Sequence, residues 1–139
     1  MSNRMFARCV VLGCVGAAAL SMPFSQAAEG GPAKVVPLVA KDLADLKGKE
    51  GTMATVEYAP GGASARHRHN AHTFVYVLEG SVVMQVDGGQ PVTLGPGQTF
   101  YESPSDVHAV SRNASESKPA KFLVFFVKDK GTPPVVPVP

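Results

Sequence analysis

The chain has 139 residues, with 13 basic and 11 acidic side chains, two cysteines and a formal net charge of +2. Both cysteines and two arginines lie within positions 1–27, so positions 28–139 carry 11 charges of each sign and no thiol. That part has no disulfide framework and no thiolate ligand or nucleophile. It also has no basic patch that would favour nucleic acid or an anionic membrane surface. Its length is that of one domain.

The segment at positions 1–27 has the three parts of an export signal. Arg4 and Arg8 supply positive charge, residues 9–20 are apolar or small, and residues 25–27 (SQA) provide small residues for cleavage after Ala27. The apolar run is shorter than the roughly 20 residues that span a bilayer. We therefore expect a cleaved signal peptide and a periplasmic or secreted protein with no membrane contact after cleavage. An uncleaved N-terminal anchor is the alternative.

Residues 28–51 are predicted to form an N-terminal arm that leads into an edge strand. The segment begins with small and polar residues, and residues 35–39 (VVPLV) follow as a strand. Pro37 cannot donate a hydrogen bond to a neighbouring strand, which places this strand at a sheet edge. Residues 41–47 (KDLADLK) can form one or two helical turns before glycines end them.

Residues 52–130 alternate short runs rich in Val, Thr, Phe and Tyr with glycine and proline turns. The runs are TMATVEY, TFVYVLEG, SVVMQVDGG, QPVTLGPG, QTFYESPSD, VHAVSRN and KFLVFFVK. Residues 87–89 (DGG) predict a tight hairpin, and residues 95–97 (GPG) predict a turn. Seven or eight short strands at this spacing favour a single all-β domain, an antiparallel sandwich or barrel. Residues 131–139 are rich in proline and predict an extended tail, either lying on the barrel or loose.

Three of the four histidines fall within residues 66–72 (RHRHNAH), and the fourth is His108. In a strand, His67 and His69 would lie on one face, about 7 Å apart along the backbone. Two imidazoles at that spacing can bind one metal ion. A histidine in a strand is also often a surface or core residue without a ligand, and Arg66 and Arg68 would then complete a polar face. Spacing alone leaves both interpretations open.

The segments APGGASARHRHNAHTFVYVLEGSVVMQVDGG and PVTLGPGQTFYESPSDVHAVSRN resemble the two motifs of the cupin superfamily, and closely those of small single-domain bacterial cupins. In the first motif the matching residues are Gly61, His67, His69 and Gly80. In the second motif Gly97 and His108 stand at the family separation, whereas Pro104 and Asn113 each stand one position late. The resemblance covers roughly residues 52–127 and implies an antiparallel jelly-roll β-barrel.

The resemblance also implies a mononuclear metal site of His67, His69 and His108, with His108 reaching the site from across the barrel. Thr73 occupies the position of the family's metal-binding glutamate, and threonine is a poor ligand. The implied site is therefore a neutral three-histidine set, as in the three-histidine iron dioxygenases of the superfamily. One divalent transition metal is expected, and Fe, Mn, Zn, Ni and Cu all suit histidine ligands. His72 is expected at the surface or orienting the other histidines, but a register slip of one residue would make it a fourth ligand.

Two functions fit these residues, because the fold carries enzymes and binding proteins alike. The first is an exported metalloenzyme, dioxygenase-like or a lyase or isomerase, that acts on a small molecule. Tyr76, Tyr101 and Glu102 are the candidates for acid-base residues in it. The second is a non-catalytic barrel that binds a small ligand or a metal for sensing or delivery. The resemblance further implies a homodimer formed through the arm that contains residues 35–39.

Overall fold

The computed structural model of the protein describes residues 31–139, which form β-strands, turns and loops without a helix. The predicted signal peptide at residues 1–27 lies outside the described residues. In chain order the strands are β1 (Lys34–Asp42), β2 (Lys49–Tyr58), β3 (Ala63–Ser64), β4 (His67–Arg68), β5 (Ala71–Glu79), β6 (Val82–Val86), β7 (Val92–Leu94), β8 (Thr99–Glu102), β9 (His108–Asn113), β10 (Ala120–Asp129) and β11 (Val136–Pro137). Within this part of the chain no helix is long and apolar enough to cross a membrane.

The strands form two sheets that face each other. One sheet has the order β1-β2-β10-β5-β8, and the other has the order β11-β4-β9-β6-β7 with β3 beside β9. The strand pairs are antiparallel. The chain changes sheet repeatedly along its length, after β2, β4, β5, β7, β8, β9 and β10. This arrangement confirms the predicted all-β fold with a jelly-roll barrel.

The core lies between the two sheets, and β5 shows how the sequence encodes it. Residues along a strand point alternately to opposite faces, so every second side chain of a strand can be buried. In β5 the buried set is Ala71, Thr73, Val75 and Val77. The long strand β10 buries Phe122, Val124 and Phe126 in the same way. Each of these larger apolar side chains contributes about 1.5–3 kcal/mol by leaving water.

Asn113, at the end of β9, holds the loops beside this strand, which begins with His108. Its side chain is 1% exposed. The amide nitrogen donates to the carbonyl oxygens of Ala59 at 3.0 Å and Lys118 at 2.7 Å. The amide oxygen accepts a hydrogen bond from the backbone nitrogen of Ser115 at 2.9 Å. The late asparagine of the second motif therefore holds together three segments of backbone, because a buried amide with these partners is satisfied on both sides.

The strand that contains Pro37 lies at a sheet edge, whereas the residues after it differ from the prediction. β1 pairs only with β2 in its sheet order and so forms an edge. Lys41 and Asp42 continue β1 and pair with Gly51 and Glu50, and turns follow them, so the helical turns expected in residues 41–47 do not form. A single isolated helical turn has a high nucleation cost, which explains why strand pairing prevails here.

The proline-rich tail lies on the barrel. Val136 pairs with Arg68 and Pro137 with His67, which makes β11 the edge strand beside β4. Near the root of the tail, Lys128 donates to the carbonyl oxygen of Thr132 at 2.6 Å. The tail therefore runs next to the strand that carries the first histidine.

Candidate metal centre

His67 and His108 are brought together by direct strand pairing. β4 and β9 are neighbours, and these two residues stand opposite each other in the register. Cross-strand partners point to the same face of a sheet, here the interior. Their ring centroids are 5.1 Å apart, and the two residues are 8% and 3% exposed. His108 thus comes from the adjacent strand of the same sheet, and the expectation that it reaches from across the barrel is wrong.

His69 reaches the same point by a bend in the chain. β4 ends at Arg68, so His69 lies in the passage to β5 and not within a strand. The following residue, Asn70, has a φ of 35°, a positive value that asparagine adopts more readily than most residues. The His69 ring is buried, 4.7 Å from the ring of His67 and 4.9 Å from that of Phe126. The rings of His67 and His69 therefore converge because the chain turns towards the other sheet after β4, and not because both residues lie on one face of a strand.

Backbone carbonyl groups fix the orientation of both rings. Nδ1 of His67 lies 2.7 Å from the carbonyl oxygen of Ala65, and Nδ1 of His69 lies 2.7 Å from that of Pro134. A carbonyl oxygen only accepts, so each Nδ1 carries the proton and each Nε2 presents a lone pair. These two Nε2 atoms are 3.2 Å apart. Two lone pairs at that distance repel unless they share a metal ion or one of the two rings is protonated.

The three histidines can hold one metal ion. One ring nitrogen from each of His67, His69 and His108 lies within 4.8 Å of the other two, and all three residues are buried. Burial lowers the pKa of His69 to about 4. Burial, with smaller effects from the other two histidines, lowers the pKa of His108 to about 3. Both rings are therefore neutral near pH 7, the form that binds metals.

Glu102, at the end of β8, lies against these histidines from the opposite sheet. Its Oε2 is 3.2 Å from Nδ1 of His108, and its Oε1 is 3.9 Å from Nε2 of His69. Burial, and then the charge of Asp106, raise the pKa of this carboxyl to about 7. The 3.2 Å contact lacks the angles of a hydrogen bond, and within residues 31–139 neither carboxyl oxygen and neither ring nitrogen of His108 makes a well-formed one. Unpaired buried polar groups cost about 1–3 kcal/mol each, so a cation among them fits this donor set.

The other candidates lie outside the cluster. His72 is exposed on the outer face of the sheet, and its Nδ1 is 2.8 Å from the hydroxyl of Tyr101. Tyr76 and Tyr101 are 46% and 48% exposed on that same face. Thr73 is fully buried and stands opposite Glu102 in the β5–β8 register. The structure therefore joins Glu102 to the three histidines and leaves His72 and both tyrosines on the other side of the sheet.

A cavity of about 800 Å³ lies between the sheets and contains this cluster in its wall. Apart from the cluster, the wall is mainly apolar, with side chains from both long strands of the first sheet, from β1 and from the tail. Its volume is in the range of small-molecule sites.

Most polar side chains of the cavity wall are already paired. The buried hydroxyl of Tyr58 lies 2.7 Å from Oγ of Ser64 and 2.8 Å from Oγ of Ser111. Arg66 forms an ion pair with Asp87. Lys128 likewise forms an ion pair with Glu50. The two cations of the wall are thereby compensated by carboxylates of this chain.

A jelly-roll barrel with converging histidines in its interior defines a class of metal-binding barrel proteins. Residues 54–126 match the family model of the cupin domain. The chain therefore belongs to the cupin superfamily, which confirms the resemblance of its two motifs. No protein with a curated function matches the sequence.

Solved structures with the same fold include enzymes and a regulator. The DMSP lyase DddQ from Ruegeria pomeroyi is 24% identical, with a TM-score of 0.55 over 62% of this chain and 42% of the lyase chain. The polyketide cyclase RemF from Streptomyces resistomycificus is 21% identical, with a TM-score of 0.55 over 76% of this chain and 75% of that one. A cupin domain of an XRE family transcriptional regulator from Enterobacter cloacae is 28% identical, with a TM-score of 0.53 over 68% and 94%. At such low identity, the two enzymes show the fold alone.

Proposed function

We propose that the protein is an exported cupin that holds one divalent transition metal at His67, His69 and His108. With that metal it acts as an enzyme on a small molecule. The observation that carries the proposal is the pair of Nε2 atoms at 3.2 Å, whose Nδ1 protons are both engaged by carbonyl groups. A metal ion shared by the two nitrogens relieves that arrangement without turning a ring, as does a proton on one of them, and the low pKa of His69 disfavours a proton on that ring. Residues 1–27 support a periplasmic or secreted location.

The cavity indicates the kind of substrate. Its mainly apolar wall favours a small molecule with little charge, since Arg66 and Lys128 are already paired with carboxylates. The histidine cluster is the polar point of the wall, so an oxygen function of the substrate would be directed there. A metal bound at the cluster would polarise that oxygen or activate water or dioxygen. The apolar wall would meanwhile limit the access of bulk water to the reacting group.

A non-catalytic ligand-binding or metal-binding protein is the second candidate. Two observations favour it. First, the described residues that line the cavity offer few groups for proton transfer. The hydroxyl of Tyr58 and both cations have partners, and Glu102 is the one carboxyl group there. In addition, the similar cupin domain from Enterobacter cloacae is part of a transcriptional regulator. Native mass spectrometry separates the two candidates, since a binding protein retains its ligand through purification and an enzyme releases product.

Metal content tests the proposal directly. We expect the purified wild-type protein, measured by inductively coupled plasma mass spectrometry, to carry one equivalent of Fe, Mn, Zn, Ni or Cu. His108→Ala is expected to lose that metal, because it removes one of three buried donors. His72→Ala is the matched control, since it removes an exposed histidine from the other face of the sheet.

Two results would contradict the metal site. One is a wild-type protein that has no metal and takes up none from solutions of the five candidates. The other is equal metal loss in His72→Ala and His108→Ala. Circular dichroism of all three proteins establishes that any loss of metal is not a loss of fold. A bound Fe or Mn would direct the activity screen to oxygen uptake.

We also propose a homodimer in which β1 is covered by a second copy. β1 is exposed along its whole length, although Val36 and Leu38 are among its large apolar residues. A long apolar edge strand left in solvent promotes association. Val36→Lys is expected to make the protein monomeric in sedimentation velocity. Val36 is 41% exposed and does not line the cavity, so the variant leaves the metal site intact.

The matched control for the dimer is Val92→Lys. Val92 is 38% exposed on β7, the edge strand of the other sheet, and its substitution is expected to leave the dimer unchanged. A wild-type protein that sediments as a monomer at micromolar concentration, or a dimer that persists in Val36→Lys, would contradict this interface.

A further inference from the structure

Three hydroxyl groups form a short chain in the cavity wall, apart from the histidine cluster. They belong to Tyr58 of β2, Ser64 of β3 and Ser111 of β9, and all three residues line the cavity. The hydroxyl of Tyr58 stands in the middle, 2.7 Å from Oγ of Ser64 and 2.8 Å from Oγ of Ser111. Within residues 31–139 these two contacts are the only side-chain hydrogen bonds that the three hydroxyls make.

An irregularity in β9 places this hydroxyl chain on the same interior face as His108. Ser111 follows His108 by three residues, a separation that puts two side chains on opposite faces of a regular strand. The pairing of β9 with β6 skips Ala109, however, so this bulge turns both residues inwards, and they are 3% and 5% exposed. Their separation is two residues along β6 and three along β9, which corresponds to about 7–10 Å of cavity wall.

The burial of the three residues sets the direction of the hydroxyl chain. Each hydroxyl has one proton, so two hydrogen bonds use two of the three protons and leave one at an end. Tyr58 and Ser111 are 1% and 5% exposed, whereas Ser64 is half-buried. A buried donor without a partner is costly. The stable chain therefore runs from Ser111 through Tyr58 to Ser64, and the proton of Ser64 remains for an acceptor in the cavity.

We infer that the hydroxyl of Ser64 binds a second oxygen of the substrate, at the far end of the cavity wall from the histidines. The inference rests on the proposed function, since it requires that a first oxygen of the substrate is bound at the histidine cluster. The substrate class is then a small molecule with an apolar body and two oxygen functions about 7–10 Å apart. The second oxygen is an acceptor such as a ketone, ester or ether. Tyr58 strengthens the donor, because hydrogen bonds in a chain polarise one another.

Pairs of matched acids test this assignment in the full protein loaded with Zn²⁺. One member of each pair is a linear keto acid whose methyl ketone lies at the end opposite the carboxylate. The other has a methyl group in place of the ketone oxygen. The carboxylate serves as the head group because its oxygen is a good zinc ligand. A series of chain lengths covers the distance from the metal to Ser64.

Isothermal titration calorimetry measures the difference within each pair. For one chain length we expect the keto acid to bind about 3- to 10-fold more tightly than its methyl analogue, which is the contribution of one neutral hydrogen bond. Shorter and longer pairs are expected to show no preference, since their ketone oxygen does not reach Ser64.

Two variants of Ser64 identify the donor. Ser64→Ala is expected to abolish the preference for the keto acid and to bind the methyl analogue as the wild-type protein does. Unchanged binding of the analogue shows that the fold and the metal site are intact. Ser64→Thr keeps a hydroxyl at the same position and is expected to keep the preference.

Three outcomes would overturn the inference. The first is equal binding within every pair by the wild-type protein, and the second is a preference that survives in Ser64→Ala. In the third, the wild-type protein holds Zn²⁺ but binds none of the acids, which leaves the metal site standing. A wild-type protein that does not hold Zn²⁺ or any other candidate metal would overturn the proposed function and this inference together.

Discussion

Deletion of residues 133–139 is expected to weaken metal binding by about 10- to 100-fold, the usual cost of losing a partner that orients a ligand. Nδ1 of His69 donates to the carbonyl oxygen of Pro134 at 2.7 Å, and that bond selects the tautomer with a free Nε2. Without the tail, the ring can rotate and its second nitrogen is exposed to water. The affinity for Zn²⁺, measured by chelator competition, checks this expectation.

A shorter deletion provides the control for the tail. Removal of residues 136–139 takes away β11 and its pairing with β4 but retains the carbonyl group of Pro134. We expect this variant to bind metal much more tightly than the longer deletion does. The longer deletion keeps Thr132, whose carbonyl oxygen accepts from Lys128, so the root of the tail remains attached in both. Equal affinities in the two truncated proteins would show that Pro134 does not orient His69.

Gly80→Ala is expected to destabilise the fold by about 2–5 kcal/mol, the sum of a conformational and a steric cost. Gly80 closes the first motif and has a φ of +68°, a conformation that costs an L-residue about 1–2 kcal/mol. A Cβ there would lie 2.4 Å from the carbonyl oxygen of Pro119 and 2.9 Å from Cα of Ala120, both backbone atoms. The neighbouring strand would have to move, and overpacking of this kind adds about 1–3 kcal/mol.

Gly88→Ala separates the two causes. Gly88 has a similar φ of +77°, but an added Cβ would meet nothing within 4 Å. We expect only the conformational cost, about 1–2 kcal/mol. The free energies of unfolding of both variants, from urea titration of the metal-free protein, give the comparison. Equal losses of stability would mean that the close approach at Gly80 carries no cost, contrary to the expectation.

The candidate site depends on segments that are far apart in the chain. His67 and His69 flank the end of β4, His108 begins β9, and Glu102 ends β8. The carbonyl group that orients His69 comes from the tail. Because these parts meet only in the folded barrel, the metal and the fold should stabilise each other, and a bound ion should raise the midpoint of thermal unfolding.

Local patterns predicted the fold and the three histidines. They did not distinguish which of the acid-base candidates Tyr76, Tyr101 and Glu102 lies at the site. Glu102 and Tyr101 are adjacent, and the sequence gives no way to tell which of them faces inward. Once β8 is paired with β5, the alternation decides it, since Glu102 stands opposite the buried Thr73 and Tyr101 opposite the exposed Phe74. The same alternation places His72 outside, one residue before Thr73.

The sequence by itself determined the strands, their turns and the two motifs, because these follow from side-chain alternation and from glycine and proline at fixed short spacings. It also determined that Thr73 cannot replace a glutamate ligand. Only the tertiary structure decided that Glu102 stands beside that position and that Pro134 orients His69. Both depend on which strands become neighbours, a property of long-range pairing that short patterns in the chain do not encode.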